Sequence, residues 1–460
     1  MRMLFGLAAA GAFALTTSGA ALAQGTVTVW WNKGFYEAED TALLKTIAAW
    51  EQKNPGSKID LTLIPLNDML TKTVSAIEAK NVPDVGFGWV YDFQASASWA
   101  KQGLLEDVGD IVTPYKEKFL PNVLPSVTMA GKDGKRAVYA VPIHMQTMHF
   151  HYWNDMLEDA GFKEADIPKD WNQFWDFWCD KVQGALRKKG QRTFGVGLPM
   201  STEATDTFYI FYTFLGAYGV RWIDENGKLM IADPKVREGY VKALTQYTSV
   251  FKRGCTPPGS VSWGDADNNN NLHNRTTVAT PNPSVSIPGK HLDDMNAALK
   301  SGKQADADIS KANYYVKMHT MLLPDGPGGQ KIIYPVATKQ AVIFRDAKNK
   351  AGARSFLAFL LTPEQIGPYV EGSFGRWFPT SLTVANTPFW TDGKDPHRSV
   401  VFKQYTTNPL SPFPSSLNAG LVQAQNENVF GRAIGRIVID NWSVDKAVDE
   451  MFGRLKELAG

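Results

Sequence analysis

Between Thr26 and Gly88 the chain alternates twice between strand-like and helix-like patterns, and no other stretch restricts the architecture as much. Thr26-Val-Thr-Val-Trp-Trp31 is a β-branched and aromatic run that reads as a buried strand, and Lys58–Ile64 and Pro83–Gly88 read as two more. From about Glu37 to Gln52, Leu43, Leu44, Ile47 and Trp50 fall on one helical face, ended by Asn54-Pro55-Gly56. A second helix is expected over Asp68–Lys80. Parallel strands need a long crossover, usually a helix, so this order predicts an α/β architecture with a parallel sheet. Ligands of such sheets gather at the carboxyl ends of the strands. That rule puts Trp31 to Phe35 and Trp89 to Phe93 on one rim.

Further along, Val138 to Tyr152 reads as a strand interrupted by Pro142, which removes a ladder donor and suits an edge or a crossing between two lobes. Asp155 with Glu158 has the form of a capping box, and Gly161 is placed to end that helix left-handed. Asp170 with Gln173 and Thr362 with Gln365 suggest two more boxes. Trp171, Phe174, Trp175 and Trp178 recur at helical spacing, which reads as a core stripe in preference to an aromatic binding wall. Helices are expected near Thr205–Tyr218, Pro234–Arg253, Lys348–Leu360, Val422–Ile439 and Val444–Leu458, the last capped by Ser443. Cys255 to Pro288 is the least regular region, and Tyr334 to Phe344, with Pro335, is a second proline-marked crossing strand.

Several functions are excluded by what the chain lacks. There is no nucleophile elbow, zincin motif, Walker A loop or dinucleotide fingerprint, and no carboxylate pair in a glycosidase-like context, so no enzyme activity is expected. A formal charge of +2 without a basic stripe argues against nucleic acid. His149 and His151 share a strand face, but no nearby carboxylate or cysteine completes a shell, so neither metal nor other cofactor is expected. Cys179 and Cys255 leave open either one bridge or two buried thiols. Arg2, the apolar run Leu4 to Leu15 and Ala21-Leu22-Ala23 read as a secretory signal peptide cleaved before Gln24.

The ordered set Lys135-Arg-Ala-Val-Tyr139, Pro142 and His149-Phe-His-Tyr-Trp-Asn-Asp-Met-Leu-Glu-Asp-Ala-Gly161 resembles the crossing segment of the family 1 extracellular solute-binding proteins, the maltose-binding-protein type. Pro83-Asp84-Val85 with Trp89-Val-Tyr-Asp-Phe93, the helix from Lys348, and Gly372-Ser-Phe-Gly-Arg-Trp-Phe-Pro379 fit the same family in the same order. The resemblance implies two interleaved α/β lobes of the periplasmic-binding-protein type II with a ligand cleft between them. It divides the chain into residues 1–23 as signal peptide, 24–142 and 340–400 as first lobe, and 143–339 and 401–460 as second lobe. It further implies a monomeric periplasmic protein that takes a small molecule, a sugar by family, to two permease subunits of an ABC importer.

Sugars need hydrogen-bonding groups around their edge and flat aromatic faces against the ring. Asn32, Lys33, Trp89, Tyr91, Asp92, His144, Gln146, Trp263, Asn282, Arg376 and Trp377 supply those types on the loops concerned. Tyr91 and Asp92 are carried over from the resemblance. Trp263 stands in for the second-lobe stacking residue, since Asn282-Pro283 occupies the place of the family's aromatic. A polyol, a glycerol phosphate or a sugar acid is the alternative ligand, with Lys33, His144 and Arg376 keeping an anionic one open, and a secreted glycan hydrolase is the rival outside binding.

Overall fold

The computed structural model describes residues 25–460, so the expected signal peptide lies outside the described residues. Among the described residues thirteen strands follow in order: β1 Gly25–Asn32, β2 Ser57–Ile64, β3 Val85–Gly88, β4 Thr128–Ala130, β5 Arg136–Val138, β6 Val141–Gln146, β7 His149–Trp153, β8 Phe194–Val196, β9 Thr277–Asn282, β10 Met318–Met321, β11 Tyr334–Ile343, β12 Phe378–Pro379 and β13 Leu410–Pro412. One sheet runs β12-β6-β11-β3-β1-β2, with β13 beside β11; another runs β10-β7-β9-β8. The strand–helix–strand segment behaves as its pattern dictates: β1 pairs in parallel with both β2 and β3. The helix Glu37–Lys53 buries Leu43, Ile47 and Trp50. The remaining partners, β11, β6 and β12, run antiparallel, so the sheet is mixed.

Each sheet has its own core. Val27, Val29, Phe87, Ile143 and Phe356 pack around the larger sheet, and Phe150, Tyr152, Trp178, Phe214 and Val278 around the smaller. Trp171, Phe174, Trp175 and Trp178 all lie in the second core, as their spacing predicts. Cys179 and Cys255 form a disulfide within that same lobe.

The chain passes between the cores three times: from β6 to β7 through Thr147-Met148, along β11, and between Tyr405 of the first core and Phe413 of the second. Val401 and Tyr405 pack in the first core. The single strand expected over Val138–Tyr152 is therefore the end of β5 followed by β6 and β7, which belong to separate sheets. β6 is not an edge where it carries His144 and Met145, since β12 pairs there. The proline is instead accommodated by a bulge: Lys339 faces His144 and Gln340 faces Pro142, leaving Ile143 extra.

The capping signatures fare worse than the elements. Asp155 does not cap its helix but receives both guanidinium nitrogens of Arg275, at 2.9 and 3.0 Å. Thr362 donates to the carbonyl of Phe359 rather than closing a box. At Asp170 only the N-cap half forms, accepting from the amides of Asn172 and Gln173. The irregular region hides a helix, Asp267–His273, containing the asparagine run, and the helix expected over Val422–Ile439 breaks at left-handed Asn428. Gly161 does end its helix left-handed, at φ +87°.

Candidate functional site

A cleft of about 850 Å³ opens between the two sheets, and both contribute to it. From the first come the carboxyl ends of β1 and β3, with Lys33, Phe35, Trp89 and Phe93, as the strand-end rule requires. The floor is Gln146 at the end of β6 and Lys339 on β11, and the turn after Glu371 adds Arg376 and Trp377. The opposite wall is Asn282 at the end of β9 with Asp206, Tyr209 and Asp265.

Six of the eleven residues singled out in the sequence meet here: Lys33, Trp89, Gln146, Asn282, Arg376 and Trp377. The other five do not line the cleft. Asn32 is a clamp, donating to the carbonyl of Ile64 at 3.1 Å and accepting the Trp89 amide at 2.7 Å, so it ties the ends of β1, β2 and β3 together. Tyr91 turns into the core, its hydroxyl 2.6 Å from Thr73 Oγ1. Asp92 lies behind the wall, 3.2 Å from Lys339 Nζ, which also donates to the Trp89 carbonyl at 2.6 Å. His144 is fully buried between Trp377, stacked at 4.2 Å, and Tyr369. Neither of its ring nitrogens has a partner, and burial with Lys339 and Arg376 nearby pushes its pKa well below the usual value. It is a neutral spacer. Trp263 is buried after the turn Pro258–Ser262.

The first-lobe wall is organised around Arg376. Its guanidinium lies 4.1 Å from the ring centres of both Trp89 and Trp377 and 4.7 Å from Phe35. It reaches Glu39 at 3.3 Å, and Trp377 Nε1 donates to the other oxygen of that carboxylate at 3.2 Å. The tight turn presenting the pair is held by the Arg376 amide on the Ser373 carbonyl at 3.0 Å. Arg376 thus borders the cleft and is ion-paired behind it. Burial raises Glu39, partly offset by the Arg376 charge. Burial also raises Asp92 to about 6, against the pull of Lys339.

The second-lobe wall is built differently. Asp206 and Asp265 sit at the start of the helix Thr205–Ala217, where a helix terminus favours negative charge. Asp265 accepts the Thr205 hydroxyl at 2.9 and 3.0 Å and the Asp206 amide at 3.2 Å. Asp206 accepts from Asn268 Nδ2 at 3.2 Å. Burial pushes Asp206 well above the carboxylate range, and the Asp265 charge adds to it; Asp265 is raised by burial as well. Asn282 Nδ2 donates to Asn269 at 2.7 Å.

The two walls touch at one end. Tyr36, beside Phe35, donates to the carbonyl of Ser286 on the other lobe at 2.7 Å, and its ring packs on Gly289, where an added Cβ would lie 2.5 Å from the hydroxyl. Tyr36, Asp206, Tyr209, Asp265 and Lys339 were not picked from the sequence. Lys339 alone left a signal, the one charge inside the strand Tyr334–Ile343.

The sequence profile described as bacterial extracellular solute-binding protein matches residues 34–366. The chain belongs to that family. Among its relatives, a Brucella abortus protein named only as a binding protein is 25% identical over 353 residues, 75% of this chain and 74% of that one. The mannitol-binding protein of Pseudomonas aeruginosa is 29% identical over 174 residues, 38% of this chain and 36% of that one. An ABC transporter solute-binding protein of Thermotoga lettingae, solved with α-D-tagatose, is similar in fold: TM-score 0.73 at 20% identity, covering 95% of this chain and 100% of that one. This solute-binding protein therefore has the two-lobed type II fold. Among its described residues no helix is long and apolar enough to cross a membrane.

Proposed function

We propose that this solute-binding protein captures a small polyhydroxylated solute, a sugar or polyol, by closing its lobes on it, and delivers it to the permease subunits of an ABC importer without transforming it. The carrying observation is the composition of the cleft. Edge-binding groups, namely Gln146, Asn282, Asp206 and Asp265, face an aromatic wall of Phe35, Trp89 and Phe93 across one 850 Å³ space. Hydroxyls suit the first set and ring C–H faces the second. The names of the mannitol-binding relative and the tagatose-bound neighbour point the same way.

On this reading the protein works as a periplasmic monomer, exported through the segment before Gln24, docking on two permease subunits when loaded. The lobes divide near Gln146–Met148, Val336 and Tyr405–Phe413, and closure bends those three passages. Thermal-shift screening against sugars and polyols tests it. Ligand at 100 times its dissociation constant adds about 2.7 kcal/mol to folded stability, a clear rise in melting temperature. No response across the panel would remove the reading, and turnover of a chromogenic glycoside would replace it with a hydrolase.

A further inference from the structure

Charge is distributed unevenly across the cleft. On the first-lobe wall each deep cation already has a buried carboxylate: Lys339 has Asp92 at 3.2 Å, and Arg376 has Glu39 at 3.3 Å. Their aromatic neighbours are occupied too, Lys339 lying 4.9 Å from the Phe93 ring and Arg376 4.1 Å from that of Trp89. An anionic ligand would find no deep uncompensated cation there.

The second-lobe wall has the opposite surplus. The donors to Asp206 and Asp265 are a hydroxyl, an amide side chain and a backbone amide, all neutral, and among the described residues neither carboxylate has an ion pair. Glu203 and Asp267 border the same side. Beside Asp206, Asn268 is 1% exposed, and its Oδ1 accepts nothing. This wall is therefore rich in acidic oxygens and carries no cation of its own; the Lys339 charge, already held by Asp92, acts on the pair from the floor. A buried polar group without a partner is costly, so a ligand group that fills the deficit gains from it.

We propose that the solute carries a protonated amine, an amino sugar or amino-alditol, whose ammonium group sits between Asp206 and Asp265 while its hydroxylated face meets the first-lobe wall. An ammonium supplies three donors and the charge that lets both carboxyls ionise, whereas a hydroxyl supplies a donor and leaves the cost of burying their charge in place. The inference rests on the cleft being a sugar or polyol site. It also sets aside the glycerol phosphate and sugar acid that Lys33 and Arg376 keep open from the sequence.

Calorimetric titration of the intact protein decides it, using matched sets: glucosamine, galactosamine and mannosamine, their parent hexoses, the corresponding hexonic acids, and glucamine against glucitol. The expected result is one stereochemical series in which the amine binds at least tenfold tighter than its parent, with the acid weakest. In Asp265→Asn and Asp206→Asn the amine-to-parent affinity ratio falls toward one, with unliganded melts checking that both variants fold. A parent sugar or polyol that binds as tightly as its amine overturns this inference and leaves the proposed function standing. A hexonic acid that binds tightest overturns it as well. Silence across the whole panel overturns both.

Discussion

The two lobes solve the problem of buried polar groups in contrasting ways. The first pairs its charges, Arg376 with Glu39 and Lys339 with Asp92, behind an aromatic wall. The second leaves the carboxyls of its cleft wall, Asp206 and Asp265, without an ion pair and its buried histidines neutral. His149, His151, His273 and His291 stand on its elements, and His397 joins them through Thr320, whose Oγ1 is 2.6 Å from His397 Nδ1 and 2.8 Å from His151 Nδ1. Paired charges make a wall that is complete without ligand. Unpaired acceptors make one that ligand completes. The contrast separates the scaffold side of the cleft from the side expected to discriminate.

Acid should expose the difference most strongly. Burial pushes His149, His151 and His291 down to about 3 and His273 and His397 to about 4, whereas an unfolded histidine titrates near 6.5. The folded state then binds fewer protons, so this stability is present above about pH 6.5 and lost as pH falls toward the folded values. Raised carboxyls act with the opposite sign, Glu39, Asp92, Asp206 and Asp265 among them, and offset part of this loss. Calorimetric scans should show the melting temperature falling between pH 7 and pH 5, with any resolved second-lobe transition moving first. A flat profile would erase the contrast.

Next in size is Glu39→Ala. Breaking a buried pair from one side costs about 3–5 kcal/mol, and here it strands Arg376 between two indoles. Urea unfolding of the unliganded protein reads this directly, and a loss under 1 kcal/mol would mean that the aromatic cage alone holds the arginine. Opening the Cys179–Cys255 bridge with the double serine variant should cost about 2–5 kcal/mol in the second lobe while ligand affinity holds. A matching drop in affinity would place the bridge in the site's support instead.

Much of the fold was legible because its signals are periodic and local. The alternation over Thr26–Gly88, the stripe from Trp171 and the crossing strand Tyr334–Ile343 each express one element's burial. Capping boxes were less reliable, since Asp155 and Thr362 each found a better partner, Arg275 and the Phe359 carbonyl. At the cleft, the strand ends bring Lys33 and Trp89 into the lining. The residues between them and the next strands split by direction: Tyr91 and Asp92 come just after Trp89 and Val90, which line the cleft, yet turn inward. Asp206 and Asp265 become neighbours only after 59 residues of chain return, and no local pattern marks that.

The smallest expected effect concerns the contact that joins the lobes. Gly289→Ala sets a methyl group 2.5 Å from the Tyr36 hydroxyl. Closure should become harder, lowering affinity about tenfold, or about 1.4 kcal/mol, with each lobe's own melt unchanged. Tyr36→Phe removes only the bond to the Ser286 carbonyl, about 0.5–1.5 kcal/mol. Unchanged affinity in both variants would show that the lobes close without this contact.

The three chain passages have a mechanical consequence. β6, β11 and β13 are hydrogen-bonded neighbours, so the passages lie side by side at a spacing of about 4.8 Å. Three straps in a row leave one easy degree of freedom, rotation about the line that joins them. Sliding or twisting one lobe over the other would stretch an outer strap. The cleft should therefore open and shut along a single arc, so that Asp206 and Asp265 meet Trp89 and Arg376 in the same register at every closure.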